Sequence, residues 1–188
     1  MDKSKNKINV KKLVMTALGA ALLAVCSWLT IPSVVPFTLQ TFGVFCIMLL
    51  LGGKYGTVSV AVYIALGAVG VPVFSGFQSG LGHLLGLTGG YIWGFLLAGM
   101  IYIIFEPLIK KKQVFALVSL LAGLLVCYIA GTVWFLVVAH SRGNEYTFLS
   151  VLSICVFPYI IPDLIKLAVA YPVCVKVRKL ILRKNTEA

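Results

Sequence analysis

Apolar residues along this chain fall in long runs rather than at alternate positions, and the runs recur from Leu13 to Ala170. Several reach or approach the ~20 residues that a helix needs to cross a hydrocarbon core. Six spans are predicted, at about 13–31, 39–51, 57–71, 91–109, 114–139 and 162–177. The second and third are short, and Gly52-Gly53-Lys54-Tyr55-Gly56 between them predicts a tight turn whose glycines can take positive φ. Pro162 predicts the first residue of the last span, with Pro158 breaking any continuous helix before it. The fold class is an all-α membrane protein, a single integral membrane domain over residues 1–188.

Composition sharpens this picture. Of 188 residues, 61% are apolar and 11% charged, against roughly 25% charged in an ordinary soluble domain. The net charge of +11 would point to nucleic acid if it formed one face of a soluble fold, but its placement is that of membrane topology. Lys3, Lys5, Lys7, Lys11 and Lys12 precede the first run, and Lys54 lies between the second and third. Lys110, Lys111 and Lys112 follow the fourth, and Lys176, Arg178, Lys179, Arg183 and Lys184 close the chain. The positive-inside rule then places both termini and these connections in the cytoplasm, with Arg142 the one basic residue on the outer connections. The first run is too long for the core of a cleaved signal peptide and is followed by further spans. It is expected to remain as a helix.

Two outer connections are apolar and rich in Pro, Gly and Thr. The first covers residues 31–41. The second covers 70–90, and with its flanks from Gly67 to Gly99 it holds ten of the eighteen glycines. Non-helical backbone at membrane depth is tolerated where it is buried in protein or lines a cavity, so a folded cap over a pocket is expected. Small residues also form ridges that allow close helix approach: Ala17 with Ala21, Ala20 with Ala24, and Gly86, Gly90 and Gly94. Internal packing accounts for the glycine ridge. For Ala17 and Ala21, internal packing and docking to a partner helix stand as equal alternatives.

Few charges lie between the flanks. Asp163 and Lys166 are three residues apart on one helix face, where they can neutralise each other. Each would cost about 2.5–3.5 kcal/mol at mid-membrane, which argues against an idle pair. Lys166 can hold a carboxylate or carbonyl, and Asp163 can accept N–H donors. Gln40, Thr41, Gln78, Ser79, Gly82, Thr88, Tyr91 and Tyr159 are further candidates on the same side, with Trp28, Phe74, Trp93 and Trp134 as apolar walls. Such a mixture is typical of a small-molecule pocket. The chain carries no phosphate-binding loop, HExxH or GxSxG motif, and its five cysteines have no metal-ligand spacing. A solute-binding transport subunit without cofactor or metal is expected, not an enzyme. The alternative is a stand-alone secondary transporter using Asp163 as an ion site, which would be expected to show an internal repeat.

Three strings carry a specific likeness: PFTLQTF at 36–42, LGAVGVPVFSGFQSGLGHLLGLTGGY at 66–91, and PYIIPDLIK at 158–166. In this order they closely resemble the BioY family, the biotin-specific S component of energy-coupling-factor (ECF) transporters. The resemblance implies six helices with cytoplasmic ends, high-affinity capture of biotin from outside a prokaryotic cytoplasmic membrane, and assembly with a transmembrane coupling protein and two cytoplasmic ATPases. It implies docking to the coupling protein through Ala17 and Ala21. It also implies ligand contacts by Asp163 and Lys166, with Lys166 on either the ureido oxygen or the carboxylate. Leu87 replaces a loop proline of the family, and His83 stands where an apolar residue is expected.

Overall fold

The computed structural model describes the backbone of residues 10–186 and side chains through Leu180. Lys3, Lys5 and Lys7, and the side chains of Arg183 and Lys184, lie outside the described residues. Five segments among the described residues are long and apolar enough to cross a membrane. The chain is a multi-pass helical membrane protein with helices α1 (Val10–Trp28), α2 (Gln40–Ala68), α4 (Gly89–Lys111), α5 (Val114–Ser141) and α7 (Phe157–Thr186). Between them lie a two-stranded ribbon, β1 (Thr30–Ile31) and β2 (Phe37–Thr38), and the short helices α3 (Leu81–Leu84) and α6 (Phe148–Cys155).

The second and third expected spans are the two arms of α2. Its helical backbone geometry is broken at Gly52, with φ 79° and ψ 173°, a conformation essentially restricted to glycine. The arms run antiparallel. Gln40 Nε2 lies 2.6 Å from Tyr63 Oη, whereas a straight helix would separate these residues by about 34 Å. The expected five-residue turn is thus condensed to one residue, and Gly53, Lys54, Tyr55 and Gly56 are helical. Gly53 begins the second arm in close contact with α4, where a Cβ would stand 3.0 Å from the Ile103 backbone.

Small residues set the helix spacing. A Cβ at Gly94 would approach Cys127 Sγ to 2.8 Å, and one at Gly123 would meet Ala98 Cβ at 3.0 Å, so α4 and α5 pack nearly backbone to backbone. Gly90 meets the Trp134 side chain in the same way. In α1, Ala20 and Ala24 face the core while Ala17 and Ala21 are exposed.

The last helix begins earlier than the proline pattern predicts. Pro158, not Pro162, occupies its first turn, where a missing N–H removes no intrahelical bond. Pro162 lies inside the helix and forgoes one bond to the Pro158 carbonyl. Before it, α6 occupies a stretch expected to be connection; its exposed apolar residues Phe148, Leu149 and Ile154 extend the apolar surface of α7. Lys12 lies over the Tyr55 ring, and Arg178 Nη1 reaches the Leu49 carbonyl at 3.3 Å. The start of α1, the Gly52 reversal and the basic end of α7 therefore share one end of the bundle.

Both unusual connections fold at the opposite end. The first forms the β1–β2 ribbon, with Thr30 opposite Thr38. Tyr159 ties it to α7 by donating to the Val35 carbonyl and pairing with Ser33 Oγ at 3.0 Å. The second contains a 3₁₀ turn at Ser75–Phe77 followed by α3. All three tryptophans of the chain donate their indole N–H to its backbone. Trp28 reaches the Pro72 carbonyl at 2.9 Å, Trp93 that of Leu84 at 3.3 Å and Trp134 that of Gly86 at 2.9 Å.

Candidate functional site

Asp163 and Lys166 stand one turn apart near the start of α7, both buried, with Nζ 2.8 Å from Asp163 Oδ1. Thr41, in the first turn of α2, donates to the same oxygen at 2.7 Å, and Tyr128 of α5 donates to Oδ2 at 2.6 Å. Lys166 Nζ also reaches the Thr38 carbonyl at 2.7 Å and Thr41 Oγ1 at 3.1 Å, and lies 4.7 Å from the centroid of the Phe37 ring. An ammonium has three N–H donors, and each has an acceptor here. The carboxylate has about four acceptor positions, of which three are filled. Charge is compensated within the site, and Asp163 retains capacity for one more donor.

Gln40 lies beside this network. It donates to Tyr63 Oη at 2.6 Å, and its Oε1 accepts from Thr38 Oγ1 at 3.1 Å. Gln40 and Thr38, the groups of the network, and Ser75, His83, Thr88, Tyr91 and Tyr159 border a cavity whose remaining wall is apolar or sulfur-bearing: Val35, Pro36, Ile92, Phe95, Cys127 and Cys155. The cavity is narrow, about 60 Å³, whereas small-molecule pockets commonly measure about 300–1,000 Å³. It adjoins an outer vestibule of about 830 Å³ through Pro36, Ser75, His83 and Thr88, which border both. Admission of a drug-sized ligand to the inner chamber therefore requires these cap segments to shift. His83 stacks on Phe74 with centroids 5.0 Å apart and pairs through Nδ1 with Gln78 Oε1 at 2.6 Å. Partial burial pulls its pKa below the usual imidazole value.

The expected site residues divide into three groups. Gln40, Thr41, Thr88, Tyr91, Asp163 and Lys166 come together at the inner cavity. Ser79 and Gly82 border the outer vestibule, as does Gln78. Phe74 and Trp93 do not line either chamber. Phe74 is fully buried behind the cavity, edge-on to Tyr63 and against Gly67, where a Cβ would collide with its ring. Trp93 is tied to the cap backbone. Tyr128 escaped the sequence reading, although a hydroxyl in the middle of an otherwise apolar span was the available signal. Thr38, Val35 and Pro36 escaped it because a ribbon that folds inward leaves no periodicity to read. Among the described residues no group of three or more His, Cys, Asp or Glu is placed to hold a metal ion.

The sequence model of the BioY family matches residues 1–183. The chain belongs to the BioY family. Within it, the chain is 38% identical over 174 residues to the biotin transporter BioY of Thermotoga maritima, covering 91% of this chain and 98% of that protein. It is likewise 38% identical over 164 residues to a probable biotin transporter BioY of Pyrococcus horikoshii, covering 87% and 93%. Among solved structures, the S-component for biotin from an ECF-type ABC transporter superimposes with a TM-score of 0.78 at 29% identity, covering 93% of this chain and 94% of that one. The BioY fold thus extends over nearly the whole chain.

Proposed function

We propose that this protein is the biotin-binding S component of an ECF-type vitamin transporter, resident in a prokaryotic cytoplasmic membrane with its basic end inside. The observation that carries the reading is the Asp163–Lys166–Thr41–Tyr128 network, buried at one wall of a largely apolar chamber beneath two folded cap segments, in a chain of the BioY family. Biotin brings two ureido N–H donors, a ureido carbonyl, an apolar thiophane ring and valeryl chain, and a carboxylate. Asp163 has acceptor capacity for a ureido N–H. Because every Lys166 N–H has an acceptor, a ligand oxygen bound to Lys166 replaces the Thr38 carbonyl or the Thr41 hydroxyl. Gln40, Thr88 and Tyr91 are placed to add polar contacts, while Ser79 and Gly82 act at the entrance.

The exposed Ala17 and Ala21 suit close approach by a helix of a coupling protein, through which two cytoplasmic ATPases would supply energy. No chemical change of the ligand is part of this reading: biotin is released as it was bound. The secondary-transporter alternative is not favoured, since Asp163 Oδ1 is already occupied by the Lys166 ammonium and a cation would have to displace it. The test is a calorimetric titration of biotin into the purified, detergent-solubilised chain, with riboflavin and thiamine as controls. Saturable one-site binding of biotin alone is expected. A folded sample that ignores biotin would overturn the proposal.

A further inference from the structure

At the opposite end of the bundle, between α4 and α7 and beneath the Gly52 reversal, lies a second cavity of about 230 Å³. Its polar border consists of Tyr102, Glu106 and Lys110 of α4, Gln113 of the following turn, and Arg178 and Lys179 of α7. Arg178 is half-buried, yet of the five N–H donors of a guanidinium one makes a hydrogen bond within normal distance, to the Leu49 carbonyl at 3.3 Å. Tyr102 is 1% exposed, and its hydroxyl lies beside the Arg178 guanidinium, which can only donate to it, so the phenol O–H has no acceptor. Neither Lys110 nor Lys179 forms an ion pair with Glu106 among the described residues, so the border keeps an excess of positive charge. Buried polar groups ordinarily find partners. An under-used guanidinium beside a phenol whose O–H has no acceptor is an arrangement that an anionic oxygen completes.

We propose that this cavity binds a phosphate group carried by an anionic membrane lipid. The surroundings select the lipid over a soluble phosphate. Ile109 of α4 and Val175 of α7 line the same cavity beside its basic groups, so its wall offers apolar contact to the start of an acyl chain as well as charge to a head group. Basic pockets between transmembrane helices are recognised sites for anionic head groups. The position is remote from the Asp163 chamber, so this inference does not depend on the ligand assigned there.

The test is native mass spectrometry of the full chain in mild detergent, titrated separately with phosphatidylglycerol, phosphatidylcholine and inorganic phosphate. One phosphatidylglycerol is expected to be retained in preference to phosphatidylcholine, and Arg178→Gln is expected to lower its apparent affinity by about fivefold, the worth of one basic side chain near a lipid surface. Inorganic phosphate that competes only weakly identifies the lipid as the source. Phosphate that binds while phosphatidylglycerol does not would overturn the lipid assignment. Equal retention of the two lipids, or phosphatidylglycerol retention unchanged in a folded Arg178→Gln protein, would overturn the site. Should that variant not fold, Tyr102→Phe decides in its place, because it removes an O–H donor that has no acceptor in the lipid-free protein; unchanged retention there likewise rejects the site.

Discussion

Lys166 is held by three acceptors and Asp163 by three donors, so the pair stands pre-aligned before any ligand arrives. Asp163→Asn removes the anion while keeping the side-chain shape. It is expected to weaken biotin binding by tenfold or more, in keeping with about 1.5–3 kcal/mol for a charge-assisted hydrogen bond. Calorimetry on the variant checks this, and undiminished affinity would detach Asp163 from the ligand. Tyr128→Phe removes the 2.6 Å bond to Oδ2 and is expected to produce a smaller loss, near 1 kcal/mol, measurable in the same titration. The charged pair was visible in the sequence because charges inside apolar runs are conspicuous. Tyr128 was less visible, since its hydroxyl matters only through a partner 35 residues away. His83 adds a pH dependence. Its folded-state pKa is lowered by desolvation, so its contribution to stability is complete above the unfolded value of about 6.5. That contribution erodes as pH falls below this value and levels off once the folded-state pKa is passed. Hydrogen-exchange protection factors of residues 70–88, corrected for the intrinsic pH dependence of exchange, are expected to fall on mild acidification, and His83→Gln should flatten the response.

Among the elements, α2 depends on a single backbone conformation. Gly52→Ala forces a side chain into φ 79°, ψ 173°, at a cost on the order of 1–3 kcal/mol. Thermal unfolding in detergent is expected to show a lowered midpoint; an unchanged midpoint would mean that the reversal tolerates a Cβ. The glycine run announced this turn, but not that one residue would suffice, because the approach of Gly53 to Ile103 is a tertiary fact. The cap shows a similar division. Its Pro- and Gly-rich composition announced a folded segment, whereas the ribbon and the α3 segment are fastened by hydrogen bonds from distant side chains that composition does not reveal. The tryptophans illustrate the limit best. Their positions near span ends fit both interfacial anchoring and ligand walls, yet the structure uses each indole N–H to fasten cap backbone. The start of α7 differs from the expected Pro162 for a related reason: two prolines four residues apart offer two possible first turns, and the turn at Val156 that precedes Pro158 leaves no mark in composition.

At the scale of the whole molecule, charge placement was the most informative signal. It located the basic connections that gather at one end, and it paired the short second and third spans. The outward-facing Ala17 and Ala21 make a prediction at this scale. Replacing both with tryptophan is expected to leave biotin binding by the isolated chain intact while abolishing co-purification with a coupling protein and ATPases; recovery of the full complex would move the docking surface elsewhere. The folded-back α2 bears finally on how the protein is made. Its arms are roughly 18 and 24 Å long, each short of a ~30 Å hydrocarbon core, although α2 is the most deeply enclosed of the membrane-spanning segments. Neither arm presents an insertion machinery with a self-sufficient stop-transfer signal. The two arms, packed against α1 on one side and α4 on the other, are therefore expected to enter the lipid as a pair, with the Gly52 reversal formed before either arm is committed to it.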